Sequence, residues 1–133
     1  ESKFSPIATS DAGARGLMQL MPETAEELAE ELSLEIVQDD ELYQPELNIH
    51  LGVYFMSKLL REFNGNNVFS LAAYNAGLKN AREWAGGGGG GTEQLDTGKI
   101  TFPETAAFVR DVLKTYGRFK AARKIKHTLQ FRL

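Results

Sequence analysis

Apolar side chains recur every three or four residues in several stretches of the chain, which is the spacing of one helix face. A first helix is predicted to begin at Pro22, because proline suits the first helical turn and the acid that follows it is favoured there. Its predicted apolar face consists of Ala25, Leu28, Ala29 and Leu32. The stretch 36–44 loses this spacing and is predicted to be a loop.

A second, longer helix is predicted to begin at Pro45 and to stop at Gly65 and the asparagine before it, since both residue types end helices. Its predicted apolar face consists of Ile49, Val53, Met56, Leu59, Leu60 and Phe63. Two short helices are predicted after it, one over about 68–74 that is stopped by Gly77 and one over about 81–85.

A last long helix is predicted to start around Thr101, because Thr101 and Glu104 have capping-box spacing and Pro103 lies between them. Its predicted apolar stripe consists of Phe108, Val109, Val112, Leu113, Tyr116 and Phe119. Six consecutive glycines, 86–91, precede this helix and are predicted to form a flexible loop or linker. The fold class is therefore predicted to be mostly α, with short connections.

Length and composition narrow the function classes. At 133 residues the chain suits one domain, and no apolar run approaches the roughly 20 residues of a membrane span. The sequence contains no cysteine, which excludes thiolate zinc sites and cysteine nucleophiles. His50 and His127 lack the spacing of a zinc helix, and the glycines at 86–91 are not followed by the lysine of a phosphate-binding loop. No metal, cofactor or nucleic acid is therefore expected.

The formal net charge of −3 hides an uneven distribution of charge. Residues 23–46 contain ten acids and no base, whereas the chain from Gly117 onward contains no acid. Both stretches are typical of solvated helix faces. The alternative for the basic residues 118–133 is contact with an anionic polymer or a lipid surface. The basic residues of this extension are Arg118, Lys120, Arg123, Lys124, Lys126 and Arg132.

Carboxylate, tyrosine, asparagine and glutamine side chains remain as candidate chemistry, and this set suits sugars. Four segments carry them: Glu1-Ser2-x-Phe4-x-Pro6; Ser10-x-x-Gly13-Ala14-x-Gly16-Leu17-Met18-Gln19-Leu20-Met21-Pro22-x-Thr24-Ala25; Ala72-Ala73-Tyr74-Asn75-Ala76-Gly77; and Phe102-x-Glu104-Thr105-x-x-Phe108-Val109. Together they resemble the catalytic domain of soluble lytic transglycosylases, glycoside hydrolase family 23, with goose-type lysozyme as a more distant relative. The resemblance covers nearly the whole chain to about residue 117.

The resemblance implies a lysozyme-like, mostly helical catalytic domain with a substrate groove over residues 1–117, followed by the basic extension 118–133. It also implies cleavage of the β-1,4 bond between N-acetylmuramic acid and N-acetylglucosamine in peptidoglycan. The cut is not a hydrolysis, because the muramoyl C6 hydroxyl attacks C1 and leaves a 1,6-anhydro ring. Glu1 matches the family's single catalytic glutamate, which acts first as an acid and then as a base.

The other matched residues receive roles from the same resemblance. Tyr74 is expected to direct its hydroxyl at Glu1 or at the reacting sugar. Substrate binding is implied for Ser10, Gly16, Gln19, Met21, Asn75 and Glu104. A structural interpretation remains open for each of these six: a turn serine, a backbone approach at the glycine, a buried hydrogen bond for the glutamine, core packing for the methionine, and helix termini for the last two.

Peptidoglycan glycan strands are therefore the expected partner, and the bacterial periplasm or cell envelope the expected location. Two alternatives remain. A peptidoglycan-binding module with impaired catalysis is one, because the sequence starts at Glu1, where the family has a supporting helix before its glutamate. Family residues also differ at Thr101, usually proline, and at Phe108, often tyrosine. The other alternative is a hydrolysing lysozyme of the goose type.

Overall fold

The computed structural model describes residues 4–35, 39–86 and 97–130, with the side chains of residue 39 and of 124–130 left aside. Helices dominate this part of the chain, and its only β-type pairing consists of two isolated bridges, Thr9 with Arg15 and Arg15 with Leu20. The prediction of a mostly α fold is confirmed. Glu1 and the glycines after Gly86 lie outside the described residues.

Five α-helices follow one another along the chain. They are α1 (Pro22–Glu31), α2 (Pro45–Glu62), α3 (Asn67–Ala76), α4 (Leu78–Trp84) and α5 (Pro103–Gln130), with 3-10 turns at Asp39–Tyr43 and Thr97–Lys99. All five predicted helices are confirmed. Three of them, α1, α2 and α5, begin with a proline at their first residue, as the sequence predicts. Helix α5 continues without interruption across residue 117.

The chain divides into two compact units, residues 1–58 and 59–133, and the boundary falls within α2. In the first unit, α1 buries the apolar face that its sequence predicts, at Ala25, Leu28 and Ala29. Its last turn is linked to α2 through Glu31, whose carboxylate pairs with the Lys58 ammonium and accepts a hydrogen bond from the Tyr54 hydroxyl at 3.0 Å. These two partners lower the pKa of Glu31 below its ordinary value.

The inward face of α2 differs from the predicted one over the first half of the helix. Ile49 and Val53 are 44% and 58% exposed, whereas Asn48 and Leu51 are completely buried. The predicted face was therefore wrong here, because a polar residue occupies the buried register. The second half agrees with the prediction, since Leu59 is buried.

In the second unit, the predicted stop of α2 is confirmed. Gly65 has a φ of +80°, and its N–H donates to the Leu60 carbonyl at 2.7 Å. Asn66 then caps α3 by accepting the Phe69 N–H at 3.1 Å. Helix α3 contacts both α4 and α5. The buried apolar residues of this unit are Leu59, Phe63, Val68, Phe69, Leu71, Ala72, Ala73, Ala81, Ile100, Ala106 and Val109.

The predicted apolar stripe of α5 is buried only in its first half. Val109 is completely buried, but Tyr116 and Phe119 are 58% and 70% exposed. The prediction was wrong for these two aromatic residues, because the helix extends past the residues against which its first turns pack. No helix in the described ranges has the length and apolarity to cross a membrane.

Candidate functional site

The segment that precedes α1 is a compact loop, residues 8–20, made of nested turns. The N–H of Ser10 donates to the Ala14 carbonyl at 2.9 Å, and the N–H of Ala14 donates to the Ser10 hydroxyl at 3.0 Å. Further along, Arg15 and Leu20 exchange two backbone hydrogen bonds of 2.8 and 3.0 Å. The loop therefore satisfies much of its own backbone without forming a sheet.

The buried side chain of Asn48, on α2, hydrogen-bonds to the backbone of this loop. The Asn48 amide donates to the Arg15 carbonyl at 3.0 Å and to the Leu42 carbonyl at 2.8 Å, and its oxygen accepts the Met18 N–H at 2.7 Å. All three partners are backbone groups, and the side chain is completely buried. Asn48 thus joins α2, the 3-10 turn and the loop by replacing the water that these groups would otherwise bind.

Two glycines allow the close approach that these hydrogen bonds require. Gly16 has a φ of +76°, and a Cβ there would lie 2.4 Å from the Leu42 oxygen and 2.5 Å from Asn48 Nδ2. Gly52, one turn after Asn48 on α2, would place a Cβ 2.7 Å from the Met18 Cβ. Any side chain at either position would push the loop off the helix.

A second link joins the same loop to the 3-10 turn. The hydroxyl groups of Thr9 and Tyr43 lie 2.6 Å apart, and the Arg15 guanidinium lies 5.9 Å from the centre of the Tyr43 ring. This polar link is exposed, in contrast to the buried Asn48 contacts.

Four of the sequence-predicted binding residues lie in or beside this loop. Ser10 accepts one hydrogen bond within the loop and keeps its own hydroxyl hydrogen for donation. The Gln19 amide nitrogen donates to the carbonyls of Gly16, at 2.8 Å, and Ala8, at 3.3 Å. Met21 ends the loop at the N-cap of α1 and is 38% exposed.

The second unit holds the other described site residues. Tyr74 lies on α3, is half-buried, and burial raises the pKa of its hydroxyl above the ordinary value of 10.0. Burial therefore keeps the phenol protonated further into the alkaline range than an ordinary tyrosine.

Asn75, the next residue on α3, is linked to the start of α5. The hydroxyl of Thr105 donates to Asn75 Oδ1 at 2.7 Å, and Thr105 is only 3% exposed. Glu104 precedes Thr105 in the first turn of α5 and is exposed to solvent. A carboxylate in that first turn is stabilised by the positive end of the helix dipole.

The N-terminus of α5 is capped one residue later than the predicted capping box requires. The N–H of Ala106 donates to the Phe102 carbonyl at 2.9 Å, so Phe102 has the N-cap position. The Thr101 hydroxyl instead accepts the Trp84 indole N–H at 3.0 Å, and the Trp84 and Phe102 rings pack edge to face at 5.0 Å.

Each unit thus brings together part of the predicted site: Ser10, Gly16, Gln19 and Met21 in the first, and Tyr74, Asn75 and Glu104 in the second. Two supporting residues had no role assigned from the sequence, Asn48 and Thr105. Thr105 lies four residues before Val109, in the predicted apolar register of α5, and a polar residue in such a register is the sequence signal that could have found it. No such signal marks Asn48, which lies outside the predicted apolar face of α2. Within the described ranges, no group of three His, Asp or Glu side chains could hold a metal ion.

Comparison with known proteins identifies the family of the chain. The family model for the transglycosylase SLT domain matches residues 1–95. The soluble lytic murein transglycosylase of Escherichia coli strain K12 is 36% identical over 115 residues, which are 85% of this chain and 18% of that protein.

Two solved structures are similar to the chain. The lytic transglycosylase Slt from Pseudomonas aeruginosa, in an inactive mutant with glutamine in place of a glutamate, matches with a TM-score of 0.75 at 36% identity. The 70-kDa soluble lytic transglycosylase in complex with bulgecin A matches with a TM-score of 0.79, also at 36% identity. In both, the match covers 91% of this chain and 20% of the other.

The fold and the family match define a helical domain of the transglycosylase class. The chain belongs to the transglycosylase SLT domain family. It spans about a fifth of the length of the relatives that it matches.

Proposed function

We propose that this chain is the catalytic domain of a lytic transglycosylase that cleaves peptidoglycan. The bond cleaved is the β-1,4 link between N-acetylmuramic acid and N-acetylglucosamine, and the product carries a 1,6-anhydromuramoyl end. The observation that carries the proposal is the match of the SLT domain to residues 1–95, together with 36% identity to a soluble lytic murein transglycosylase.

Glu1 is the proposed single acid and base. Its protonated carboxyl donates to the glycosidic oxygen as the bond from C1 to that oxygen breaks. The resulting carboxylate then accepts the proton of the muramoyl C6 hydroxyl, whose oxygen forms the new bond to C1. The proton therefore returns to Glu1, and no water is consumed. The N-acetyl oxygen of the substrate stabilises the positive charge that develops at C1 in the meantime.

Tyr74 is the second proposed catalytic residue. Its phenol is protonated at neutral pH, as in any tyrosine, and burial, which raises its pKa, extends this donor state into the alkaline range. A donor of this kind stabilises a carboxylate or a developing charge on the reacting sugar. The inactivity of the Pseudomonas relative after one glutamate-to-glutamine change shows that one carboxyl group is essential in that protein.

The remaining site residues except Gly16 bind the glycan in this proposal. Ser10 donates its hydroxyl hydrogen to a sugar or N-acetyl group, and Met21 offers an exposed apolar surface to a sugar ring. Since the Gln19 amide nitrogen already donates to two backbone carbonyls, this residue contributes its carbonyl oxygen as an acceptor. Gly16 is buried and its backbone groups already bond to Ala8 and Gln19, so it supports the site by letting the loop approach α2 and does not itself touch the glycan. Glu104 accepts hydrogen bonds from sugar hydroxyl groups.

The test is digestion of purified sacculi, with the products analysed by mass spectrometry. We expect muropeptides that lack the mass of one water, and we expect Glu1→Gln to abolish them. The matched control is Glu26→Gln, which changes an exposed acid on α1 and should leave the products unchanged. Reducing-end products would contradict the proposal in favour of a hydrolysing lysozyme. Binding to sacculi without any product would instead identify a binding module.

A bacterial envelope location follows from this substrate. We also propose that the basic part of α5 contacts anionic material of the envelope. Its residues Lys114, Arg118, Lys120 and Arg123 are all exposed, and no acidic residue lies between 114 and 123. Deletion of residues 118–133 should reduce the salt-sensitive binding of the protein to anionic wall or lipid material. Unchanged binding in a sedimentation assay would remove this part of the proposal.

A further inference from the structure

A hydrogen bond between α5 and α3 fixes the orientation of a site amide. The hydroxyl oxygen of Thr105 lies 2.7 Å from Asn75 Oδ1. The carboxamide oxygen can only accept, so the threonine must donate. Thr105 is 3% exposed and lies in the first turn of α5, where packing holds its backbone in place. The Asn75 oxygen is therefore tied to the protein.

This contact decides which end of the Asn75 amide remains for a ligand. The oxygen and nitrogen of a carboxamide point in directions roughly 120° apart, as for any planar trigonal carbon. With the oxygen turned to Thr105, the NH2 group points away from that residue. Asn75 is half-buried, and its NH2 donates to no protein group in the described part of the chain. A rotated amide could still donate an N–H to the threonine oxygen, but it would leave the hydroxyl hydrogen of Thr105, which is 3% exposed, without the acceptor that Asn75 Oδ1 supplies.

We propose that Thr105 is a positioning residue that fixes Asn75 as a hydrogen-bond donor, so that the site selects an amide carbonyl oxygen of the glycan. The proposal rests on the proposed function only in taking peptidoglycan as the ligand. Two groups of peptidoglycan supply such an oxygen: the N-acetyl group of a sugar and a peptide bond of the stem. Asn75 recognises the N-acetyl or stem carbonyl through its NH2, and Thr105 acts on that recognition without touching the ligand.

The test measures the equilibrium binding of three glycan fragments by calorimetry in the Glu1→Gln background, so that the ligand is not consumed. The fragments are a stem-free N-acetylated tetrasaccharide, its de-N-acetylated form, and the N-acetylated form with peptide stems. Thr105→Val removes the hydroxyl and keeps the shape of the side chain. Thr105→Ser is the matched control that keeps the hydroxyl.

Thr105→Val should weaken binding of the stem-free N-acetylated fragment about tenfold, the usual scale for one oriented hydrogen bond. The de-N-acetylated fragment should bind as it does to the parent protein, and Thr105→Ser should restore the parent affinity. If only the stem-bearing fragment is weakened, the carbonyl belongs to the stem and the selection of a carbonyl stands. Equal losses for all three fragments, or no loss for any, would overturn the proposal.

A second variant covers the case in which Thr105→Val fails to fold. Asn75→Asp keeps an acceptor for the Thr105 hydroxyl but replaces the NH2 donor with an oxygen. It should lose affinity for the N-acetylated fragment and leave the de-N-acetylated one at or above the parent level. Unchanged affinity for the N-acetylated fragment would contradict the inference.

Steady-state kinetics with sacculi separate this inference from the proposed function. In the otherwise unchanged chain, Thr105→Val should raise KM about tenfold and change kcat much less, because the hydrogen bond acts on ligand binding. Suppose that the unchanged chain makes no anhydro product, but Thr105→Val weakens binding of the N-acetylated fragment and not of the de-N-acetylated one. The proposed function then fails and the inference stands. If anhydro product forms and Thr105→Val leaves both KM and the fragment pattern unchanged, the inference alone fails.

Discussion

The loop of the first unit and the helices of the second hold their site residues by different means. In the loop, Ser10 and Gln19 depend on turns that are fastened to α2 by one buried amide, Asn48. In the second unit, Tyr74 and Asn75 extend from a regular helix that packs mainly through apolar residues. A buried polar anchor holds one geometry and tolerates little change, whereas an apolar core spreads its stabilisation over many contacts.

The largest effect is expected at Gly16, where the loop comes closest to its support. Gly16→Ala combines a positive φ with a Cβ 2.4 Å from the Leu42 oxygen, and it should lower the free energy of unfolding by about 4 kcal/mol. Gly13→Ala is the matched control, because φ is +93° there but no atom lies within 4 Å of the Cβ position. Gly13→Ala should lower the free energy of unfolding, measured with urea, by about 1 kcal/mol. Equal losses for the two variants would show that the close contact is unimportant.

Replacement of Asn48 should cause the second-largest loss in the free energy of unfolding. Asn48→Leu leaves the Met18 N–H and two carbonyl groups buried without their partner, and we expect a loss of about 3 kcal/mol. The control is Asn80→Ala on α4, where a half-buried amide makes one hydrogen bond, to the Ala76 carbonyl at 2.7 Å. This variant should lose less than about 1 kcal/mol. A comparable loss from both would contradict a special role for Asn48.

This contrast also explains how far the sequence could predict the fold. Helix starts were predictable because Pro22, Pro45 and Pro103 signal them locally, and the stop at Gly65 is equally local. The inward face of the first half of α2 was not predictable from apolar spacing. There Asn48 is buried and Ile49 is exposed, because the hydrogen bonds of a distant loop decide the register.

The apolar core of the second unit should respond more mildly. Val109→Ala removes methyl groups from a completely buried position on α5, and we expect a loss of about 2 kcal/mol. On the same helix, Phe119→Ala removes a much larger side chain that is 70% exposed, so its loss should stay below about 0.5 kcal/mol. Thermal unfolding of both variants provides the measurement, and a larger loss at Phe119 would reveal a packing partner for it.

The smallest expected effect concerns Tyr74 and alkaline pH. Burial raises its pKa, so the unfolded chain releases this proton first as the pH rises above the ordinary value of 10.0. The Tyr74 contribution to stability is complete below that pH and is lost as the pH approaches the higher folded-state value. Tyr74→Phe should therefore lose less stability than the unchanged chain between about pH 9 and 11. Parallel pH curves for the two proteins would contradict the raised pKa.

The candidate site was predictable from the sequence to a similar, limited extent. The family motifs contain Ser10, Gln19, Tyr74 and Glu104, and their residue types alone favour sugar chemistry. Their hydrogen-bond partners could not be predicted, since Thr105 lies thirty residues from Asn75 in the chain. Which end of an amide meets its neighbour depends on packing between helices, and apolar periodicity does not encode it.

The Asn48 anchor has a consequence for how this loop can change over evolution. One side chain satisfies three backbone groups, and the space at Gly16 and Gly52 is filled by its neighbours. A substitution at Asn48, Gly16 or Gly52 would disrupt the contacts on which the other two positions depend. Asn48, Gly16 and Gly52 therefore depend on one another, and we expect a change at one of them to be tolerated only together with changes at the other two. For the same reason, transplanting the loop into another helical protein would require the helical turn from Asn48 to Gly52 to be transferred with it.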